Sequence, residues 1–286
     1  MATIRLGMIQ PRAIRPDEKA NLGRAAAYAR QAAEQGAQII AFPECYPGPY
    51  SGPADYDAAQ VLGELAREYQ VAIGYGFMEP IPAAEGAPAG APSQQEYHNI
   101  YQMLGPSGAV IAKYAKAIPS PVDPQLSNKA ARAGDQLVLA ETPWAKVGLL
   151  ICWEAWFPEL CRTLAMQGAN LALFPTGGML YHLAPVWANL IQARATENLI
   201  YTACCANLFG VEDGFAWICA PEGTLASSQQ EGVLVADLDL DRLQFLRDEE
   251  ESLAFPKFYK TIPGLWRHNR PDLYQPTQAK LAEKGI

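Results

Sequence analysis

The apolar positions of this chain fall into short blocks whose spacing changes in a repeating order. "IRLGMIQ", residues 4–10, reads as a strand. Residues 17–35 predict a helix: the stretch is rich in alanine, Leu22, Ala26 and Ala29 fall at helical spacing, and Gly36 supplies a stop signal. "AQIIAFPE", residues 37–44, then reads as a buried strand. The same order returns further on. "AKVGLLIC", residues 145–152, predicts a strand; a helix follows, with Pro158 suited to its first turn and Gly168 at its end; "ANLALFP", residues 169–175, predicts the next strand.

The recurrence is literal in places. "GAQIIAFPE" begins at Gly36 and "GANLALFPT" at Gly168, so the pattern predicts an internal duplication of a strand–helix–strand unit. In that alignment Thr176 stands where the first copy has Glu44. Short alternating runs over 71–114 and 201–238 predict further strands. Residues 80–95, "PIPAAEGAPAGAPSQQ", read as a surface loop inside a hairpin rather than a domain linker. The stretch after Asp248, about 249–286, is polar and aromatic, and is expected to wrap over the body or sit at a subunit interface. The whole of 1–286 is read as one domain.

Three polar side chains share one local setting. Glu44 ends "AQIIAFPE", Lys116 closes "GAVIAKYAK" and Cys152 closes "KVGLLIC". Each lies at or just past the end of a predicted buried strand, where loops open and ligands sit in sheet proteins. Singly, each has a bland reading: an inert core thiol, a loop or capping acid, a surface lysine. Together they complement one another. A thiol with an ordinary pKa of about 8.5 is mostly protonated at neutral pH. A nearby carboxylate takes its proton as general base, and an ammonium favours the thiolate and stabilises an oxyanion. The backbone N–H of Trp153, directly after the sulfur, is placed to be a second oxyanion donor.

Composition narrows the partners. The 286 residues fit one large domain or two small ones, and 50% hydrophobic content permits a sizeable core. A formal net charge of -8 without a Lys/Arg cluster argues against nucleic acid and anionic membranes. No apolar stretch approaches the roughly 18 residues of a spanning helix. The N-terminus enters a strand pattern at once, without a signal-like segment, so a cytoplasmic location is expected. The six cysteines are scattered and form no CxxC pairs, so reduced thiols are expected. His98, His182 and His268 are too few and scattered to suggest a metal site, and no cofactor is expected. A Cys–His dyad with His182 is a competing arrangement.

These segments resemble the nitrilase superfamily of carbon–nitrogen hydrolases, and more closely its short amidase-like branches. "AFPECYPGPY" resembles the family's glutamate segment, "GAVIAKYAKAIP" its lysine segment and "LLICWEAWFPELCRTLAMQGANLALFPTGG" its cysteine segment. "ARATENLIYTACCANLFG" is similar to a structural stretch of the second half, with Arg194, Glu197, Asn198 and Asn207 on recurring positions. "APEGTLA" fits the family's closing hairpin and "NRPDLY" its tail. The resemblance implies an α/β fold: a four-layer αββα sandwich with two mixed sheets and an internal pseudo-repeat. It implies pairing through helices beside the cysteine, giving a homodimer or a larger homo-oligomer. It implies metal-free hydrolysis through a thioester on Cys152, with Glu44 as general base and Lys116 as catalytic lysine. The chain departs at one place. Many members carry a second glutamate between the lysine and cysteine segments, yet residues 97–140 contain none; Ser127 and Asn128 lie about where it should fall, and Asp123 is the nearest substitute acid.

Tyr50, Met179, Tyr181 and Glu154 are expected to line a substrate pocket, with support of the strand end as the other reading of Glu154. Trp156 and the pair Cys204–Cys205 read as packing. The leading function is hydrolysis of a small carboxamide to acid and ammonia. Alternatives are a nitrilase, since a thiolate also attacks a nitrile carbon, an N-carbamoyl hydrolase, and a non-catalytic binding protein on the same fold.

Overall fold

A computed structural model describes residues 2–14, 17–49, 55–82, 96–120, 130–178, 183–208, 214–248 and 270–283. Contacts divide the chain into two compact units, Met1–Leu240 and Asp241–Ile286.

The first unit begins with strand β1 (Thr3–Gln10). Helix α1 (Glu18–Glu34) starts where the Asp17 side chain accepts the Ala20 N–H at 2.9 Å, and it buries Leu22, Ala25, Ala26, Ala29 and Ala32 along one stripe. It gives way at Gly36, whose φ of +84° suits a residue without Cβ. Strand β2 (Ile39–Ala41) follows, shorter than its apolar run, then helix α2 (Ala58–Tyr69), capped by Asp57. Strands β3 (Ala72–Pro80), β4 (Glu96–Leu104) and β5 (Val110–Ala115) complete the first half. The Ile81 N–H to Glu96 carbonyl bond of 2.9 Å closes the β3–β4 hairpin, whose connecting residues 83–95 lie outside the described ones.

Short strands β6 (Ala130–Ala131) and β7 (Val138–Glu141) lead into the second half. There β8 (Lys146–Leu149), a 3-10 turn (Cys152–Trp156), helix α3 (Pro158–Met166), β9 (Leu171–Thr176), helix α4 (Ala184–Asn198), β10 (Tyr201–Ala206), β11 (Ala216–Ala220) and β12 (Gly223–Ser228) repeat the order of the first half. Strand β13 (Gly232–Asp239) returns to the first sheet.

The duplication is visible in the sheets. The first runs β13-β1-β2-β3-β4-β5, with β6 also against β4; the second runs β12-β11-β10-β9-β8-β7. Each has a parallel trio, β1-β2-β3 or β8-β9-β10, flanked by antiparallel neighbours. Strands β9 and β10 are buried along their whole length, which explains their unbroken apolar runs: both faces are covered. One face meets helices. Leu62 and Leu65 of α2 pack with α1, Ile40 and Ile73 on the first sheet, while Leu164 of α3 lies over Gly148 and Thr202 Oγ1 donates to the Ile191 carbonyl of α4 at 2.8 Å on the second. The other face meets the second sheet: Cys205 Sγ donates to the Ala41 carbonyl at 3.8 Å. The unit is thus an αββα sandwich of two mixed sheets.

Helix α5 (Leu240–Asp248) starts on the last residue of this unit. Within the second unit the Arg242 guanidinium sits 5.1 Å over the Phe245 ring, and helix α6 (Pro271–Glu283) follows Arg270, which pairs with Asp272. Most of the aromatic tail falls on residues 249–269, outside the described residues.

Candidate active site

The first half turns its chain off the sheet immediately after β2. Phe42 still donates to the Gly74 carbonyl at 2.9 Å and accepts the Tyr101 hydroxyl at 2.9 Å, but Cys45 then takes a φ of +54° and the chain turns. The turn lies directly on β3: a Cβ on Gly76 would stand 2.4 Å from the Cys45 nitrogen, so only glycine fits there. Asn207 Nδ2 donates to the Glu44 carbonyl at 2.9 Å from the facing sheet. The Glu44 backbone is therefore held from both sheets, and its side chain points into the protein with only 6% of the residue exposed.

Lys116 follows β5. Its N–H donates to the Asn99 carbonyl at 2.9 Å, its carbonyl accepts the Gly134 N–H at 2.9 Å, and only 1% of it is exposed. An ammonium so far from water needs an anion. It has one: Nζ lies 2.8 Å from Glu44 Oε1. Asn99 Nδ2 donates to the same oxygen at 2.7 Å.

Cys152 sits at a sharp corner. Strand β8 ends at Leu149, Ile151 is extended, and Cys152 takes a φ of +51° as the 3-10 turn starts. A non-glycine residue in this left-handed region is strained and needs surrounding structure to hold it. The Glu44 carboxylate, the Lys116 ammonium and the Gly177 N–H all act on its thiol. Burial first, and then the Glu44 charge, push the thiol well above its usual range, against the opposing pull of Lys116 and the Gly177 N–H. The resting centre is accordingly a neutral thiol beside an ammonium–carboxylate pair. Such a set can pass the thiol proton to the carboxylate as the sulfur attacks, with the ammonium ready for a developing oxyanion.

Glu154 is fully buried, and its carboxylate is enclosed by protein donors. Oε1 accepts the Tyr114 hydroxyl at 2.7 Å and the N–H groups of Ala117 and Ile118 at 2.8 and 3.0 Å; Oε2 accepts the Ile151 N–H at 2.7 Å. Burial raises its pKa while these donors pull it back. The carboxylate ties the chain leaving Lys116 to the chain entering Cys152. Arg194, 6% exposed, braces the far end of the cysteine turn by donating from Nε to the Ala155 carbonyl at 3.1 Å and pairing with Glu197 at 2.8 Å.

Trp153 packs edge-on against Phe157, ring centroids 5.4 Å apart. Trp156 is 42% exposed and lies at the surface rather than in the packing expected of it. Cys204 and Cys205 are fully buried, and burial pushes the Cys204 thiol up to about 12. His98 is bonded to the Arg132 carbonyl. Among the described residues no three His, Cys, Asp or Glu side chains are grouped to hold a metal ion. Tyr50, Met179, Tyr181, Asp123, Ser127, Asn128 and His182 lie outside the described residues. Sequence reading did not find Asn99 or Gly177. No sequence signal singles out Asn99, since β4 also carries Glu96, His98 and Gln102; Gly177 lies in a glycine pair that reads as an ordinary loop.

The chain matches the family model described as carbon–nitrogen hydrolase over residues 5–248 and belongs to that family. The mouse omega-amidase NIT2 is 30% identical over 96% of this chain and 98% of its own length. A carbon–nitrogen hydrolase of Helicobacter pylori shares the fold with a TM-score of 0.77 at 20% identity, covering 96% of this chain and 98% of that one. A glutamate-to-glutamine mutant of an amidase from Nesterenkonia superposes with a TM-score of 0.68 at 26% identity, covering 84% of this chain and 92% of that one; in it the acetamide moiety of fluoroacetamide is covalently added at the active-site cysteine. The chain is a cysteine-dependent carbon–nitrogen hydrolase of the amidase type.

Proposed function

We propose that the protein hydrolyses a small terminal carboxamide to the carboxylic acid and ammonia, with Cys152 as nucleophile. The observation that carries this is the buried Glu44–Lys116 contact of 2.8 Å, whose two charges both act on the Cys152 thiol. Glu44 accepts the thiol proton as the sulfur attacks the carbonyl carbon. Lys116 Nζ and the Trp153 N–H hold the oxyanion. The tetrahedral adduct collapses, Glu44 returns the proton to the departing nitrogen, and ammonia leaves a thioester. Water, deprotonated by Glu44, then attacks the thioester; the acid departs and the thiol is restored.

The triad chemistry serves amides and nitriles alike, and the names of the relatives, an omega-amidase and an amidase carrying an acetamide adduct, favour the amide. Glu154 is assigned to support, because four protein donors occupy its carboxylate. Tyr50, Met179 and Tyr181 are assigned to the acyl pocket by sequence, and Asp123 to the place of the absent second acid. A homodimer or larger assembly through the helices beside the cysteine is supported by Trp156, Met166 and Val186, which are 42%, 56% and 40% exposed around the cysteine turn, α3 and α4. Free thiols at six cysteines support a cytoplasmic location, and the chain is read as one hydrolase domain with a tail. The deciding test is ammonia release from matched short-chain amides, nitriles and N-carbamoyl compounds. Amides are expected to turn over at least about 100-fold faster, a gap of about 2.7 kcal/mol in barrier. A nitrile in first place overturns the assignment.

A further inference from the structure

The two oxygens of Glu44 have different surroundings. Oε1 accepts Lys116 Nζ at 2.8 Å and Asn99 Nδ2 at 2.7 Å. Oε2 lies against Gly177: a Cβ there would stand 2.8 Å from Oε2, and the same glycine's N–H acts on the Cys152 thiol. The oxygen beside that glycine carries neither of these two donors. Asn99 is 4% exposed and sits in the middle of β4, so its side chain starts from a rigid strand. Its Oδ1 accepts the Cys45 thiol at 3.7 Å, and its backbone carbonyl accepts the Lys116 N–H.

We propose that Asn99 is a positioning residue that locks the Glu44 carboxylate by Oε1, so that Oε2 alone serves as the base toward Cys152. The inference rests on the reading of Glu44 as general base. Lys116 cannot do this alone. When Nζ turns to an oxyanion it loosens its grip on Oε1, and a carboxylate held by one departing donor is free to rotate about its last bond. Asn99 has no such second task and holds Oε1 through the whole cycle. Among the described residues the Cys152 thiol of the turn and the Cys204 thiol of β10 feel the Glu44 charge.

The test compares Asn99→Leu, which keeps the volume and removes the donor, with Asn99→Asp, which keeps the shape and substitutes a like charge. Glu44→Gln is run alongside. Steady-state kcat and KM for an amide are measured, beside thermal melts of each variant. Both Asn99 variants are expected to lose about 10- to 100-fold in kcat with KM changed less than about 3-fold. A wild-type kcat in whichever variant folds, or a loss confined to KM, overturns the proposal. Should Glu44→Gln keep the wild-type kcat, the general-base reading itself fails. A dead Glu44→Gln beside Asn99 variants with wild-type kcat removes only the role of Asn99.

Discussion

The strand end that carries Glu44 and the one that carries Thr176 descend from the same sequence pattern and do opposite things. Both follow a helix closed by a left-handed glycine, with φ +84° at Gly36 and +100° at Gly168, and both run through a fully buried Phe-Pro step. After Ala41 the first strand ends, and the Glu44 side chain turns to Lys116 and Asn99. The second stays paired with β10 through Thr176, opposite Ala206. Thr176 spends its hydroxyl locally, 3.1 Å from the Phe174 carbonyl and 3.1 Å from Cys204 Sγ. Gly177 then brings no side chain at all, and a Cβ there would stand 2.8 Å from Glu44 Oε2. One copy brings a charge, and the other brings room for that charge. A duplicated frame therefore does not need duplicated chemistry; it needs one end to become reactive and the facing end to become small.

The comparison breaks most completely at the reactive members. Cys152→Ala should abolish turnover while leaving the melting temperature nearly unchanged, and Glu44→Gln should cost about 10³-fold in kcat/KM; steady-state assays beside thermal melts check both. Gly177→Ala attacks the other side. Its Cβ would stand 2.8 Å from Glu44 Oε2, so the carboxylate must shift, and a loss of about 10- to 100-fold in kcat is expected with the protein still folded. A Gly177→Ala enzyme with full activity would mean that the room it leaves is incidental. The thiols supply a finer contrast. Because burial and the Glu44 charge raise the Cys152 pKa, its alkylation rate should still be climbing at a pH where the unfolded chain, with thiols near about 8.5, has levelled off. Least affected is Thr176→Val: about 1 kcal/mol of stability for its lost hydrogen bonds, read by denaturant titration, and activity within a few-fold of wild type.

The sheets were readable in the sequence wherever burial on two faces wrote continuous apolar runs, as in β9 and β10. Helix α1 was readable because one face is solvent and the alanines mark the other. Helix α4 was not predicted: it buries Trp187, Ile191, Arg194, Ala195 and Asn198 together, so polar and apolar positions do not separate into a stripe. Helix α2 carries plainer signals, an Asp57 cap and Leu62, Leu65 and Ala66 at helical spacing, and it too is absent from the elements predicted. At the site, Glu44, Lys116 and Cys152 were legible because strand ends converge, and the structure brings those three side chains together. The partners of Glu154 were not, since three of its four donors are backbone N–H groups that any sequence possesses. Asn99 was hidden for a related reason: nothing in a single strand says which charged group its amide will meet from elsewhere in the fold.

The carboxylate of Glu154 has a kinetic consequence. Its four bonds span residues 114–118 on one side and residue 151 on the other, so neither margin of the reaction centre can fray without releasing the other. Amide hydrogen exchange at Ala117, Ile118 and Ile151 should therefore occur through a shared opening event, and Glu154→Gln should accelerate all three together. A catalyst wired in this way spends its idle time either wholly assembled or wholly undone, with no half-built centre exposing a buried ammonium to water.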